Sequence, residues 1–130
     1  MKSNEEQLQH IIENADDQLA DFLEMGKKIG ANLDFSIRSI YDVEKILLQT
    51  NATEQDDEDL FADCWLYIGL CVQRSRKGTW IISEEDDESS GYPAVRYENL
   101  YGDLFYPIQA VRNFLSSRNI GDIAHSIHRS

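Results

Sequence analysis

Residues 60–72 read LFADCWLYIGLCV, a run that is apolar around most of a helical circumference. A helix with apolar side chains on nearly every side has to be surrounded by other elements, so this segment predicts the central helix of the fold. Gly69 interrupts it at a cost of about 1 kcal/mol relative to Ala. We therefore expect Gly69 to allow the close approach of a neighbouring strand or helix.

Two amphipathic helices are predicted before this segment. The first begins with the capping pattern Ser3-x-x-Glu6 and ends near Gly26. Ser36 caps the second, which continues to about Gln49. The central helix itself is expected to open at Thr53-Glu54-Gln55-Asp56, where acidic side chains suit the positive end of the helix dipole.

The chain changes character after Gly78. Short β-type runs occupy residues 79–83, 92–97 and 104–106, and the polar run 84–91 between the first two predicts an exposed loop. Pro93 should lie near a strand end or edge, because it cannot donate to a ladder. Pro107 suits the first turn of a last helix, and the tail from Ser116 is weakly patterned.

The sequence thus predicts a single α+β domain over residues 1–130. Three N-terminal helices pack on a small antiparallel β-meander, which a C-terminal helix follows.

The charge of −12, from 24 acidic and 12 basic residues, disfavours binding to nucleic acid or to an anionic membrane surface. A basic protein partner fits it better, although acidity that only maintains solubility explains the same number. No stretch approaches the ~18 apolar residues of a membrane span, so the cytoplasm is the expected location. Cys64 and Cys71 are expected to be buried thiols in a reducing compartment.

Two acidic runs are the candidate partner-binding residues. They comprise Asp56, Asp57, Glu58 and Asp59 at the start of the central helix, and Glu84, Glu85, Asp86, Asp87 and Glu88 in the loop. Such runs attract a cationic partner over long range. A dipole-matched helix start and a solvated loop are the alternative interpretation.

No pattern of catalytic, metal-binding or cofactor-binding residues is recognisable. The run 84–88 lacks the alternating ligands and the glycine of a calcium loop. His125 and His128 have no evident third ligand for a metal. Nothing in the sequence places a base beside either cysteine. We therefore expect a non-enzymatic protein without a cofactor.

Aromatic residues are concentrated in the sheet segments, where some must face away from the helices. A pocket between the central helix and the sheet, lined by Tyr67, Trp80 and Tyr97, is the second hypothesis, of a small-ligand or regulatory domain. These side chains equally suit the core of a small sheet.

Three segments carry a resemblance: Leu33-Asp34-Phe35-Ser36 with the helix after it, Tyr67-Ile68-Gly69 leading to Gly78-Thr79-Trp80, and Phe105-Tyr106-Pro107. Over residues 30–118 the chain resembles a loose group of uncharacterised bacterial α+β domains, some of them found in toxin-immunity settings. In that group a Glu often follows the helix glycine, where this chain has Leu70, so a polar role of that Glu does not carry over. The resemblance supports the fold more than the function, and it implies no catalytic residues. The charge of −12, the two acidic runs and the lack of a catalytic pattern lead to the first functional hypothesis, an immunity-type protein that neutralises a basic toxin or nuclease domain.

Overall fold

A computed structural model describes residues 4–83, 91–98 and 102–128, which form an α+β fold. Within these ranges there are six α-helices and one three-stranded antiparallel sheet. The helices are α1 (Asn4–Glu13), α2 (Ala15–Lys28), α3 (Ile40–Thr50), α4 (Glu58–Arg76), α5 (Pro107–Ser117) and α6 (Asp122–His128). The strands are β1 (Thr79–Ile82), β2 (Pro93–Arg96) and β3 (Leu104–Phe105).

Helix α4 lies at the centre of the core, as its sequence predicts. Every residue from 66 to 72 is buried, and the helix contacts α2, α3, α5 and β2. Gly69 faces the six-membered ring of Trp80 from β1, and a Cβ at this position would overlap the ring. The glycine therefore permits the close approach of a strand, which is the role expected for it.

The sheet has the order β1-β2-β3 with antiparallel neighbours. Val95 in the central strand pairs with Trp80 on one side and Phe105 on the other. Val95 is fully buried beneath the helices. Pro93 is the first residue of β2, a position where its missing N–H is tolerated.

The predicted first helix is divided at Asn14 into α1 and α2. The hydrogen bonds from Asn14 N to His10 O and from Gln18 N to Asn14 O continue through the break. The Asn14 side chain also donates to His10 O at 2.8 Å. An asparagine side chain that bonds to the backbone in this way favours a local departure from the helix.

Two other helix starts differ from the expected ones. Ser36 caps a 3₁₀ turn, Ile37–Ser39, by accepting a hydrogen bond from Ser39 N, and α3 begins only after it. Residues 53–57 form a separate turn in which the Asp57 carboxylate accepts from Thr53 N at 2.9 Å. Helix α4 therefore begins at Glu58, after that turn.

Helix α6 was not predicted, and the single C-terminal helix expected from the sequence is in fact a pair. Ile123 and Ile127 of α6 are fully buried in the core formed by the other helices and the sheet. The helix packs against α3 and α5.

Both cysteines are free and fully buried, as expected. Burial raises the pKa of Cys64 and raises that of Cys71 to about 12, so both thiols stay protonated at neutral pH. Membrane crossing requires a helix that is both long and apolar, and none in the described ranges is both.

Candidate functional site

Helices α2 and α4 run side by side in the same direction. The Gln18 amide donates to the Asp63 carboxylate at 3.4 Å, and four residues further along each helix the rings of Phe22 and Tyr67 lie 5.7 Å apart. The N-terminal turns of both helices therefore lie at one end of the molecule. Each of these turns is acidic, with Asp16 and Asp17 in α2 and Glu58 and Asp59 in α4.

Carboxylates from both helices act electrostatically on Asp63. The pKa of Asp63 is raised, chiefly by burial and additionally by the negative charges of Asp59 and Asp21, while the hydrogen bond from Gln18 opposes the rise. In the described part of the chain, no Lys or Arg forms an ion pair with any of the three. We define Asp21, Asp59 and Asp63 as the acidic cluster.

The predicted run 56–59 divides into two roles in the structure. Asp57 serves the turn before α4 through its hydrogen bond to Thr53. Asp56, Glu58 and Asp59 are exposed to solvent, and Asp59 belongs to the acidic cluster. Residues 84–88 lie outside the described residues.

Sequence reasoning missed the contribution of α2. Asp21 is 38 positions before Asp59 in the sequence, and nothing local indicates that they share a surface. The signal that was available is the repeated pattern of acidic N-terminal turns on two helices, although Asp21 itself lies beyond the first turn of α2.

Tyr67 and Trp80 of the hypothesised pocket contact different partners. The Tyr67 hydroxyl accepts from Phe35 N at 2.9 Å and hydrogen-bonds Ser39 Oγ at 2.7 Å. Trp80 instead lies on Gly69 and donates from Nε1 to Gln73 at 3.1 Å.

Helix positions 67 and 69 are about 200° apart, so Tyr67 and Trp80 face different sides of α4. Tyr97 is buried just after β2, where its N–H donates to Asp103 O at 2.8 Å.

The residues that carry the resemblance link separate elements of the fold. Ser36 caps the 3₁₀ turn, Ser39 bonds the hydroxyl of Tyr67, and Gly69 receives Trp80. Leu70 is buried in the core. These positions therefore have structural roles in this chain.

No group of three or more His, Cys, Asp or Glu in the described ranges has the geometry of a metal site. Comparison of the chain with protein-family models, with curated proteins and with solved structures finds no match.

Proposed function

We propose that this protein is a non-enzymatic binding protein, and that it holds a basic protein partner against the end of the molecule where α2 and α4 begin. The observation that supports this most directly is the acidic cluster, in which Asp21, Asp59 and Asp63 from two helices share one surface without a cation of their own.

Like charges held together are unfavourable in the free protein, and a cationic partner removes that repulsion. Burial is the main cause of the raised pKa of Asp63, and the negative charges of Asp59 and Asp21 add to the rise. A Lys or Arg of a partner, placed between the carboxylates, would be attracted by all three. The exposed acids at the starts of α2 and α4 extend the negative surface and would steer the partner towards it.

The sharpest form of this proposal is an immunity-type protein that neutralises a basic toxin or nuclease domain. The charge of −12 and the acidic first turns of α2 and α4 support it. Covering a cationic nucleic-acid-binding face with a negative surface blocks the contact with phosphates on which such an enzyme depends.

The proposal is tested by a pull-down from the native host at low and high salt, with bound proteins identified by mass spectrometry. The bait variant Asp21→Asn with Asp59→Asn should lose a basic partner that the wild type retains at low salt. The control variant Glu5→Gln with Glu98→Gln changes the net charge equally at two exposed positions elsewhere and should retain it. Equal recovery by both variants, or recovery of no basic protein, would overturn the proposal.

A further inference from the structure

Helix α3 presents one face to solvent although its opposite face is part of the core. The exposed positions Tyr41, Lys45 and Gln49 recur at helical spacing, and Arg38 precedes them by one turn. We call this stripe the α3 outer face. It lies away from the acidic cluster, which is formed by α2 and α4.

Exposed apolar side chains converge on this face. The large hydrophobic residues that are substantially exposed in the described ranges are Ile29, Tyr41 and Ile120, with exposed fractions of 48%, 41% and 47%. Ile29 borders α3 on one side, where it lines a depression of about 210 Å³ together with Lys45 and Gln49.

Ile120 borders α3 on the other side. A Cβ on its neighbour Gly121 would lie 3.9 Å from the ring of Tyr41. Ile29 and Ile120 are therefore placed beside the helix that carries Tyr41. Isolated exposed apolar residues are ordinary, but here all three of the large exposed ones in the described ranges belong to or border one helix.

A second depression lies beside the first turns of α3. It has a volume of about 610 Å³, and its lining includes Arg38, Tyr41 and Lys45 together with the carboxylates of Asp34 and Asp42. Asp42 and Lys45 line both depressions, so the two lie next to each other along α3.

The cations of this face are less engaged than its carboxylates. Asp34 accepts hydrogen bonds from the N–H and hydroxyl of Ser36, and Asp42 accepts one from Asn32 N at 2.8 Å. Lys45 is 63% exposed and approaches Asp42 only to 3.9 Å. Arg38 forms no ion pair with any residue that the structure describes.

We propose that the α3 outer face docks a segment of a partner protein in which apolar side chains are flanked by carboxylates. The apolar side chains would cover Ile29, Tyr41 and Ile120, and the carboxylates would pair with Arg38 and Lys45. Tyr and Arg are enriched among the residues that contribute most to binding at protein interfaces. Because Asp34 and Asp42 are already hydrogen-bonded within the chain, the exposed Arg38 and Lys45 favour a segment that brings its own carboxylates. A purely anionic ligand would leave the three apolar side chains uncovered.

A phage-displayed random peptide library selected on the full-length protein tests this proposal. Peptides should be enriched that combine Asp or Glu with large apolar residues. Their affinity should fall about tenfold or more for Lys45→Glu and for Tyr41→Ala, since each loses one half of the recognition. Arg96→Glu makes the same charge reversal at an exposed position of β2 and should leave the affinity unchanged.

The substituted side chains are exposed, so each variant should remain folded. Thermal unfolding of each variant checks this. Selection of basic peptides, selection of none, or equal binding by Lys45→Glu and the wild type would overturn the inference. The substitutions do not touch the acidic cluster, so either proposal can fail while the other holds.

Discussion

Glu44 is a carboxylate with no exposed surface, placed on the inner side of α3. Its oxygens accept hydrogen bonds from Gly121 N at 3.0 Å and from Ile123 N at 3.3 Å. These N–H groups lie at the start of α6, where backbone donors have no acceptor within the helix. Burial raises its pKa and the nearby Asp122 adds to the rise, whereas the two backbone hydrogen bonds oppose it. Glu44 is thus both the cap of another helix and an ionisable group in the core.

We expect Glu44→Gln to change the pH dependence of stability. Because the pKa of Glu44 is higher in the folded chain than in the unfolded chain, the folded state binds more protons between the two values. Ionisation of Glu44 therefore lowers the free energy of unfolding as pH rises from the range of an ordinary glutamate through the raised pKa. Glutamine does not titrate, so the variant should lack this decrease.

Urea denaturation at a series of pH values measures the effect. Relative to the variant, the wild type should be most stable at the acidic end of the series and should lose that advantage as pH rises. Parallel stability curves for the two proteins would show that folding does not perturb the ionisation of Glu44.

At the scale of elements, α6 completes the core. It is only seven residues long, yet its side chains Ile123 and Ile127 are fully buried. A helix this short is marginal in water, so packing and the cap from Glu44 must supply its stability. The weakly patterned sequence after Ser116 did not predict α6, because the contacts that stabilise this helix come from α3 and α5.

Ile127→Ala should destabilise the protein by about 2–5 kcal/mol, as expected for truncation of a buried aliphatic side chain. Ile120→Ala removes the same atoms at an exposed position just before α6 and should change stability by less than about 0.5 kcal/mol. Chemical denaturation of both variants provides the comparison. Equal and small effects would mean that α6 does not contribute to the cooperative core.

At the scale of the whole molecule, the parallel arrangement of α2 and α4 separates the charges. Their first turns are acidic, whereas their last turns carry Lys27 and Lys28 in α2 and Arg74 and Arg76 in α4. Each helix gains from this distribution, because it complements the helix dipole. Since the two helices point the same way, their local preferences combine into an acidic end and a basic end.

The excess of negative charge should make stability depend on salt. With a charge of −12, repulsion within the folded chain is screened as NaCl is raised to about 0.15 M, where the Debye length is about 8 Å. We expect the melting temperature at neutral pH to rise by a few degrees. The same titration at the pH of zero net charge is the control and should show little change. A melting temperature that is independent of salt at neutral pH would contradict this view.

Local sequence signals determined most of the helices and strands of this protein. The apolar circumference of residues 60–72, Pro107 at the start of a helix and the β-type runs after Gly78 all predicted elements that the structure contains. Ser36 does cap a helical turn, but this is a 3₁₀ turn ahead of the α-helix predicted to begin there. They succeed because helical periodicity, capping and strand alternation act over a few neighbouring residues. The interpretation of Gly69 also succeeded, since its cost in a helix required a packing reason.

Only the tertiary structure decided which distant residues meet. Glu44 and Gly121 are 77 positions apart, and Gln18 and Asp63 are 45 positions apart, so neither contact leaves a periodic trace in the sequence. The acidic cluster and the α3 outer face depend on such contacts, because each combines side chains from elements that are separated along the chain. Charge and composition are read from the sequence, but their arrangement into surfaces follows from how the helices pack.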